Sequence, residues 1–272
     1  MRRGLYPVQP FMLVNTSRYY KILPQPPQSE RIVHYYTFDA NSEKAGSLTG
    51  IPDGCVDILF NAGSGGAEGY LYGMVTGNVK VKLKKGDSYF GVRFMPGYIP
   101  ARFDVAIPEL VDRRADVRDM PGGEALIARV AEAGCFAERA AVIDRYIGND
   151  WRSSDLLQLL IGAVERSGGC ARIADLENKT MYSARYINKV FTQNIGVSPK
   201  EFSEHVRFQS LIARLNVSET ARLTDIAADA GYYDQSHFIR EFKRFTAVTP
   251  REYADAVDLP TYYEKIVYVD PR

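Results

Sequence analysis

The stretch TDIAADAGYYDQSHFIREFKRFTAVTPREY, from Thr224 to Tyr253, permits few folds. Thr224 is placed to cap a short helix with Ile226 and Ala227 turned inward. Gly231 stands where the following turn needs a residue tolerant of positive φ. A helix opening at Asp234 or Ser236 then carries Phe238, Phe242 and Phe245 along one face, which reads as core. Gln235, Ser236, His237 and Arg240 gather near its start on the other side. Lys243 and Arg244 lie further along, where they suit phosphates or a solvated face.

The stretch ARIADLENKTMYSARYINKVF follows the same grammar. A short helix turns Ile173 and Leu176 inward, and a turn is expected around Asn178-Lys179-Thr180. Ser183 then caps a longer helix. Its apolar face is Ile187, Val190 and Phe191, and its outer face is Arg185, Asn188 and Lys189. One helix of this kind fits the major groove of DNA. Each unit closes on a loop and a proline, at Pro199 and at Pro250. Between them, KEFSEHVRFQSLIARL reads as one amphipathic connector with Phe202, Val206, Leu211 and Leu215 inward. Such a connector would hold two reading helices in successive major grooves, ~34 Å apart.

Net charge lends this no support. The chain carries 34 Lys and Arg against 33 Asp and Glu, and residues 155–255 hold thirteen of each sign. The expectation therefore rests on the ordered pattern of caps, stripes and polar faces.

That pattern resembles the DNA-binding domain of the AraC/XylS family over residues 170–255. The resemblance lies in Ser183 through Phe191, in Gly196-Val197-Ser198-Pro199-Lys200-Glu201-Phe202, and above all in GYYDQSHFIREFKRF followed by Thr249-Pro250. It implies seven helices and two helix-turn-helix motifs. The implied base-reading residues are Arg185, Asn188 and Lys189 in the first unit, and Gln235, Ser236, His237 and Arg240 in the second. Two positions depart from the family. Ala247 stands where glycine is usual, which would strain the loop if the position needs positive φ. Glu177 replaces a small apolar residue and would weaken the first unit's grip.

Upstream, the pattern is β-rich to about Asp112. Val79, Val81 and Leu83 alternate with lysines, the period of a half-buried strand. HYYTF, GCVDILF and YFGVRF read as further strands, residues 62–69 as a loop, and PQPPQ as an extended connector. An alanine-rich segment after Pro121 reads as two helices broken near Gly134. They bridge the domains, pack two subunits, or cover the end of a barrel. SSDLLQLLIGAVERSGG follows as a helix capped by Ser153 or Ser154 and ended by Gly168-Gly169.

The motifs PDGCVD (Pro52–Asp57) and GVRF (Gly91–Phe94) with Pro96-Gly97 resemble the N-terminal domain of a subset of AraC-type regulators. The resemblance implies a cupin-like β-barrel that binds a small effector, dimerises, or both. Tyr35, Arg93 and Tyr98 are the candidate effector residues. Asp57 is expected as a buried acid satisfied by backbone amides or by Arg93.

The expected class is α+β. A sensor or dimerisation domain with linking helices spans 1–150, a helical DNA-binding domain spans 151–256, and a tail spans 257–272. The expected function is sequence-specific transcription regulation by a cytoplasmic protein that forms a homodimer. Its expected partners are operator DNA, RNA polymerase and a small-molecule effector. The alternatives are an N-terminal domain that only dimerises, and a DNA-repair enzyme fused to the domain. Repair chemistry needs a Pro-Cys-His nucleophile and a metal-binding cysteine set, and Cys55 lies between Gly and Val. Three scattered cysteines and three histidines argue against disulfides, metal and cofactor, and no catalytic residue is expected. Pro7, Gln9 and Pro10 interrupt any signal-like segment, and no apolar run suits a membrane span.

Overall fold

Alternation and caps organise the chain into a β-rich first half and a helical second half. The structure, a computed structural model, describes residues 7–11, 16, 18–40, 46–63, 66–215, 230–232, 234–257 and 264–270. In the first half the strands are β1 (Tyr19–Ile22), β2 (Ile32–Asp39), β3 (Ser47–Gly50), β4 (Val56–Asn61), β5 (Glu68–Tyr72), β6 (Val79–Lys82), β7 (Ser88–Phe94), β8 (Ile99–Pro100) and β9 (Arg114–Asp116). Between β1 and β2 the PQPPQ segment is a turn leading into a short 3-10 helix at Gln28–Glu30, rather than wholly extended.

Helices α1 (Gly123–Glu132) and α2 (Phe136–Ile147) break where Gly134 predicted. Strand β10 (Trp151–Arg152) pairs back onto β8. Next come α3 (Asp155–Arg166), α4 (Ile173–Thr180), α5 (Ala184–Asn194), α6 (Pro199–Leu215), α7 (Gln235–Thr246), α8 (Pro250–Ala256) and strand β11 (Ile266–Tyr268). No described helix is long and apolar enough to cross a membrane.

Among the described residues, seven strands hydrogen-bond in the order β11-β1-β2-β7-β4-β5-β9, and β3 pairs with β6 separately. Strand alternation gives the sheet two apolar faces. One carries Tyr35, Ile58, Phe60, Phe90 and Val92 and packs on Leu126, Val130, Ile143 and Ile147 of α1 and α2. The two helices therefore cover the sheet. The other face carries Tyr19, Tyr36, Phe38, Leu59 and Tyr89, which cluster with Leu48 and Leu83. There Tyr36, Phe38 and Tyr89 form a ladder of near-parallel rings 5.2–6.3 Å apart.

Strand β11 falls in TYYEKIVYV, the one run after residue 155 whose pattern resembles a strand, within the segment expected as a tail. It pairs in parallel with β1, Tyr19 opposite Ile266, so the chain's end returns to the first domain. At the other end, Val8 and Phe11 pack into the core of the helical half, and Phe11 meets Tyr253 edge-on at 5.6 Å.

The helical half has two cores. Leu157, Leu160, Leu176, Ile187, Phe191 and Phe202 make the first, and Phe208, Leu211, Phe238, Phe242, Phe245 and Tyr253 the second. Helix α6 contributes to both. Its 17 residues span about 26 Å at 1.5 Å per residue. Phe202, Val206 and Leu211 are buried as expected, and Leu215 is partly buried. In the first unit Leu176 is buried, but Ile173 is 37% exposed. Helix α4 also runs through Thr180, where a turn was expected, and the chain reverses instead at Met181, at φ 59°. Thr224, Ile226 and Ala227 lie outside the described residues.

Ala247 ends α7 in the left-handed region, φ 66° and ψ 0°, with its N–H bonded to Lys243 O. The sequence-based concern about that position is thus met by its geometry, since a Cβ is strained there. Ala247→Gly should raise unfolding stability by about 0.5–1 kcal/mol, the relief of αL strain less glycine's entropic cost. Equal or lower stability of the variant in urea titrations would contradict this.

Candidate nucleic-acid interface

Helices α5 and α7 are each fastened at the start by a side chain. Ser183 accepts from Tyr186 N–H at the N-cap of α5. Glu177 Oε1 accepts from Ala184 N–H at 2.6 Å. Glu177, which departs from the small apolar residue usual there, satisfies with its carboxylate a free amide at the positive end of the helix dipole. Asp234 caps α7 by accepting from His237 N–H at 2.8 Å. Gly231 takes φ 81° in the preceding turn, as its position required.

With Ile187, Val190 and Phe191 buried, α5 leaves Arg185, Asn188 and Lys189 exposed. Asn188 donates back to Ala184 O at 2.9 Å. Arg185 and Lys189 lie one turn apart. With Phe238, Phe242 and Phe245 buried, α7 exposes Gln235, Ser236, Arg240 and Lys243. His237 is half-buried, its Nε2 3.8 Å from Glu241 Oε2. Arg244 is already engaged. It pairs with Glu204 of α6 at 2.8 Å and lies over the Phe245 ring at 4.3 Å, so it braces α7 on the connector.

Sequence reasoning missed Glu241. It is buried on α7, pairs with Arg207 of α6 at 3.0 Å and accepts from Tyr232 Oη at 2.6 Å. Burial and this carboxylate push the Tyr232 hydroxyl pKa up. The network locks α7 to the connector. A signal did exist: Glu241 adjoins Phe242 and lies three residues from Phe238, hence beside the apolar stripe.

The expected effector residues do not meet in one place. Arg93 is buried on the face toward β3 and β6. Its guanidinium is held by Asp57 at 2.9 Å and by Asp53 at 3.0 Å. Asp57 is thus a buried acid paired with Arg93, and it also accepts from Tyr36 Oη at 3.1 Å. Burial raises its pKa, and Arg93 opposes the rise. Both carboxylates already occupy Arg93, so its guanidinium is not free to hold an anionic effector.

Tyr35 projects from the opposite face of the sheet and donates to Asp144 of α2. Tyr98 is half-buried in the turn after β7. The cavity beside Arg93 is bordered by Gln9, Tyr36, Asp53, Cys55 and Asp57 and holds about 80 Å³. That is room for a few waters, below the roughly 300 Å³ where drug-sized pockets begin.

The Asp53 loop reaches the connector directly. Pro52 O accepts from Gln209 of α6 at 2.8 Å, and Ile51 packs in the second helical core. Gly54, at φ 75°, lies against Phe202, where a Cβ would come within 2.6 Å of the ring. Glycine is needed there for both reasons.

Residues 176–256 match the family of helix-turn-helix domains, and residues 20–116 match a family described as a domain of unknown function. The C-terminal third is an AraC-type helix-turn-helix domain. This domain is 37% identical over 83 residues to an uncharacterized HTH-type transcriptional regulator of Haemophilus influenzae, covering 30% of this chain and 27% of that protein. It is 32% identical over 98 residues to the HTH-type transcriptional activator RhaR of Yersinia pseudotuberculosis, covering 36% and 33%. The chain thus spans about a third of the length of these curated relatives. A looser likeness joins 82% of this chain to 97% of ToxT of Vibrio cholerae, at TM-score 0.43 and 14% identity. The chain is α+β, with a β-rich sheet ahead of the AraC-type domain.

Proposed function

We propose that the protein is a sequence-specific DNA-binding transcription regulator that acts by binding and performs no chemistry. The observation that carries this is the pair of capped helices, α5 and α7, each packed on the single connector α6. Each exposes an end rich in groups that hydrogen-bond base edges: Arg185, Asn188 and Lys189, then Gln235, Ser236 and Arg240. Lys243 and His237 flank the second set and suit phosphates.

On this reading the partners are operator DNA in the cytoplasm and RNA polymerase, and the protein works as a homodimer. The N-terminal domain answers a small-molecule effector through the cavity beside Asp53. At about 80 Å³ that cavity admits only a small effector unless the β3–β6 pair lifts. Its wall is the loop docked on α6, so occupancy would bear on how the two reading helices are presented.

The test is affinity across base substitutions in a duplex recovered by in vitro selection with the full chain. Arg240→Ala should cost about 1–3 kcal/mol on the selected site and relax preference at one base pair. An equal loss on every sequence would reduce Arg240 to a phosphate contact. Failure to enrich any sequence would overturn the proposal.

A further inference from the structure

Seven large apolar side chains are exposed among the described residues, and three of them cluster at the start of α5. Met181 is 89% exposed, Tyr182 46% and Tyr186 43%. The two tyrosines are four residues apart and stack on one another, with ring centres 4.9 Å apart and planes at 28°. Ile187, Val190 and Phe191 fill the core on the helix's inner side, so the stack packs outside it. Clustered exposed apolar groups on a soluble domain mark a surface that something covers.

The surroundings select the occupant. The stack runs beside Arg185 and Lys189, which share its turn spacing along α5. Helix α5 itself carries no acidic residue. The two acids of α4 are engaged by backbone amides: Asp175 accepts from Arg172 N–H at 2.9 Å, and Glu177 from Ala184 N–H at 2.6 Å. The patch is therefore apolar, cation-flanked and at a helix N-terminus, which complements a polyanion with apolar features. In duplex DNA the apolar feature of the major groove is the thymine C5-methyl group.

Resting on the DNA-binding reading above, we infer that the Tyr182–Tyr186 stack is a specificity element that recognises thymine methyls. The exposed start of α7 presents Gln235 and Ser236.

The experiment uses the full chain and the duplex that in vitro selection recovers, with each thymine replaced in turn by deoxyuridine. Uracil keeps every base-pairing group and lacks only the methyl. Wild-type protein should lose about fourfold in affinity for each contacted methyl removed, at positions in the half bound by the first unit. The double variant Tyr182→Ala, Tyr186→Ala should bind the thymine duplex as weakly as wild type binds the uracil duplex, and should no longer distinguish them. Tyr186→Phe should behave as wild type, because the ring and not the hydroxyl makes the contact.

The inference is overturned if wild type is indifferent to uracil at every position. It is equally overturned if the alanine variant still senses uracil, or weakens on both duplexes by one factor while keeping their ratio. An unaltered DNA affinity in that variant would assign the patch to a protein partner. All of these results presuppose an enriched sequence, so they stand apart from failure of the DNA-binding reading, in which no sequence is enriched.

Discussion

Replacing Arg93 with methionine should destabilise the N-terminal domain by about 3–5 kcal/mol, because it strands two buried carboxylates. Asp53 and Asp57 both depend on this one guanidinium, and its side chain is only 6% exposed. Without it the acids must protonate, draw in water or force the loop open. The single tryptophan of the chain supplies the readout. Trp151 packs edge-on to Phe94, 5.9 Å away, and lies under Arg31 at 5.7 Å, so its fluorescence follows the unfolding of this domain. Adding Asp53→Asn and Asp57→Asn to the methionine variant should restore much of the loss, since no uncompensated charge then remains. A single-variant cost below about 1 kcal/mol would show that the pair is not energetically buried. The consequence extends beyond the sheet. Residues 51–54 dock on α6 through Pro52, Ile51 and Gly54, so loosening Asp53 also loosens the connector's seat.

Stability should fall as pH is lowered from 6.5 to about 4, and His205 should account for a large share. His205 lies on α6, fully buried, edge-on to Phe245 with ring centres 5.5 Å apart. Neither ring nitrogen has a hydrogen-bond partner among the described residues. Burial first, and the nearby Arg244 second, together lower its pKa to about 4 against the opposing pull of Asp53.

The folded state therefore binds fewer protons than the unfolded chain between these pH values, so stability rises with pH across the window. A displacement of that size corresponds to about 3 kcal/mol, present above pH 6.5 and lost on descending to about 4. Buried His34 is displaced in the same direction, so wild type carries both contributions. His205→Leu removes one. It should flatten the profile by about that amount and also add about 1–3 kcal/mol at neutral pH, by deleting unsatisfied polar atoms. Parallel profiles for wild type and variant, measured by urea unfolding at each pH, would refute the assignment.

Both effects arise where distant segments meet, and only the Asp57–Arg93 pairing was foreshadowed along the chain. Asp57 was read as a buried acid with Arg93 among its possible partners, because an acid inside an apolar run must be satisfied. That Asp53 shares the same guanidinium depends on the register that sets β4 against β7. Tyr35 and Arg93 were candidates for one pocket because tyrosines can line such a site and an arginine can take an anionic group. The pairing of His34 with Arg93 and of Tyr35 with Val92 puts them on opposite faces. Ile173 fitted a helical stripe yet lies exposed, and α4 outran its expected turn, because periodicity fixes a face and not a boundary.

What the sequence by itself determined is local. Ser154, Ser183 and Asp234 cap the helices they precede. Gly231 and Ala247 occupy the positive-φ positions that their loops required. The phenylalanine stripe of α7 is core, and the outward residues of α5 and α7 were legible as its complement. Each of these depends on interactions within a turn or two, so neighbouring residues suffice to specify them.

Only the tertiary structure decided the rest. It set Glu177 against the first amide of α5 and tied Glu241 and Arg244 to α6. It also returned the last strand to β1, pairing Tyr19 with Ile266 from the opposite end of the chain. The physical reason is that a buried charge or an open strand edge fixes only that a partner must exist. Which partner fills the place is settled by the packing of segments far apart in sequence.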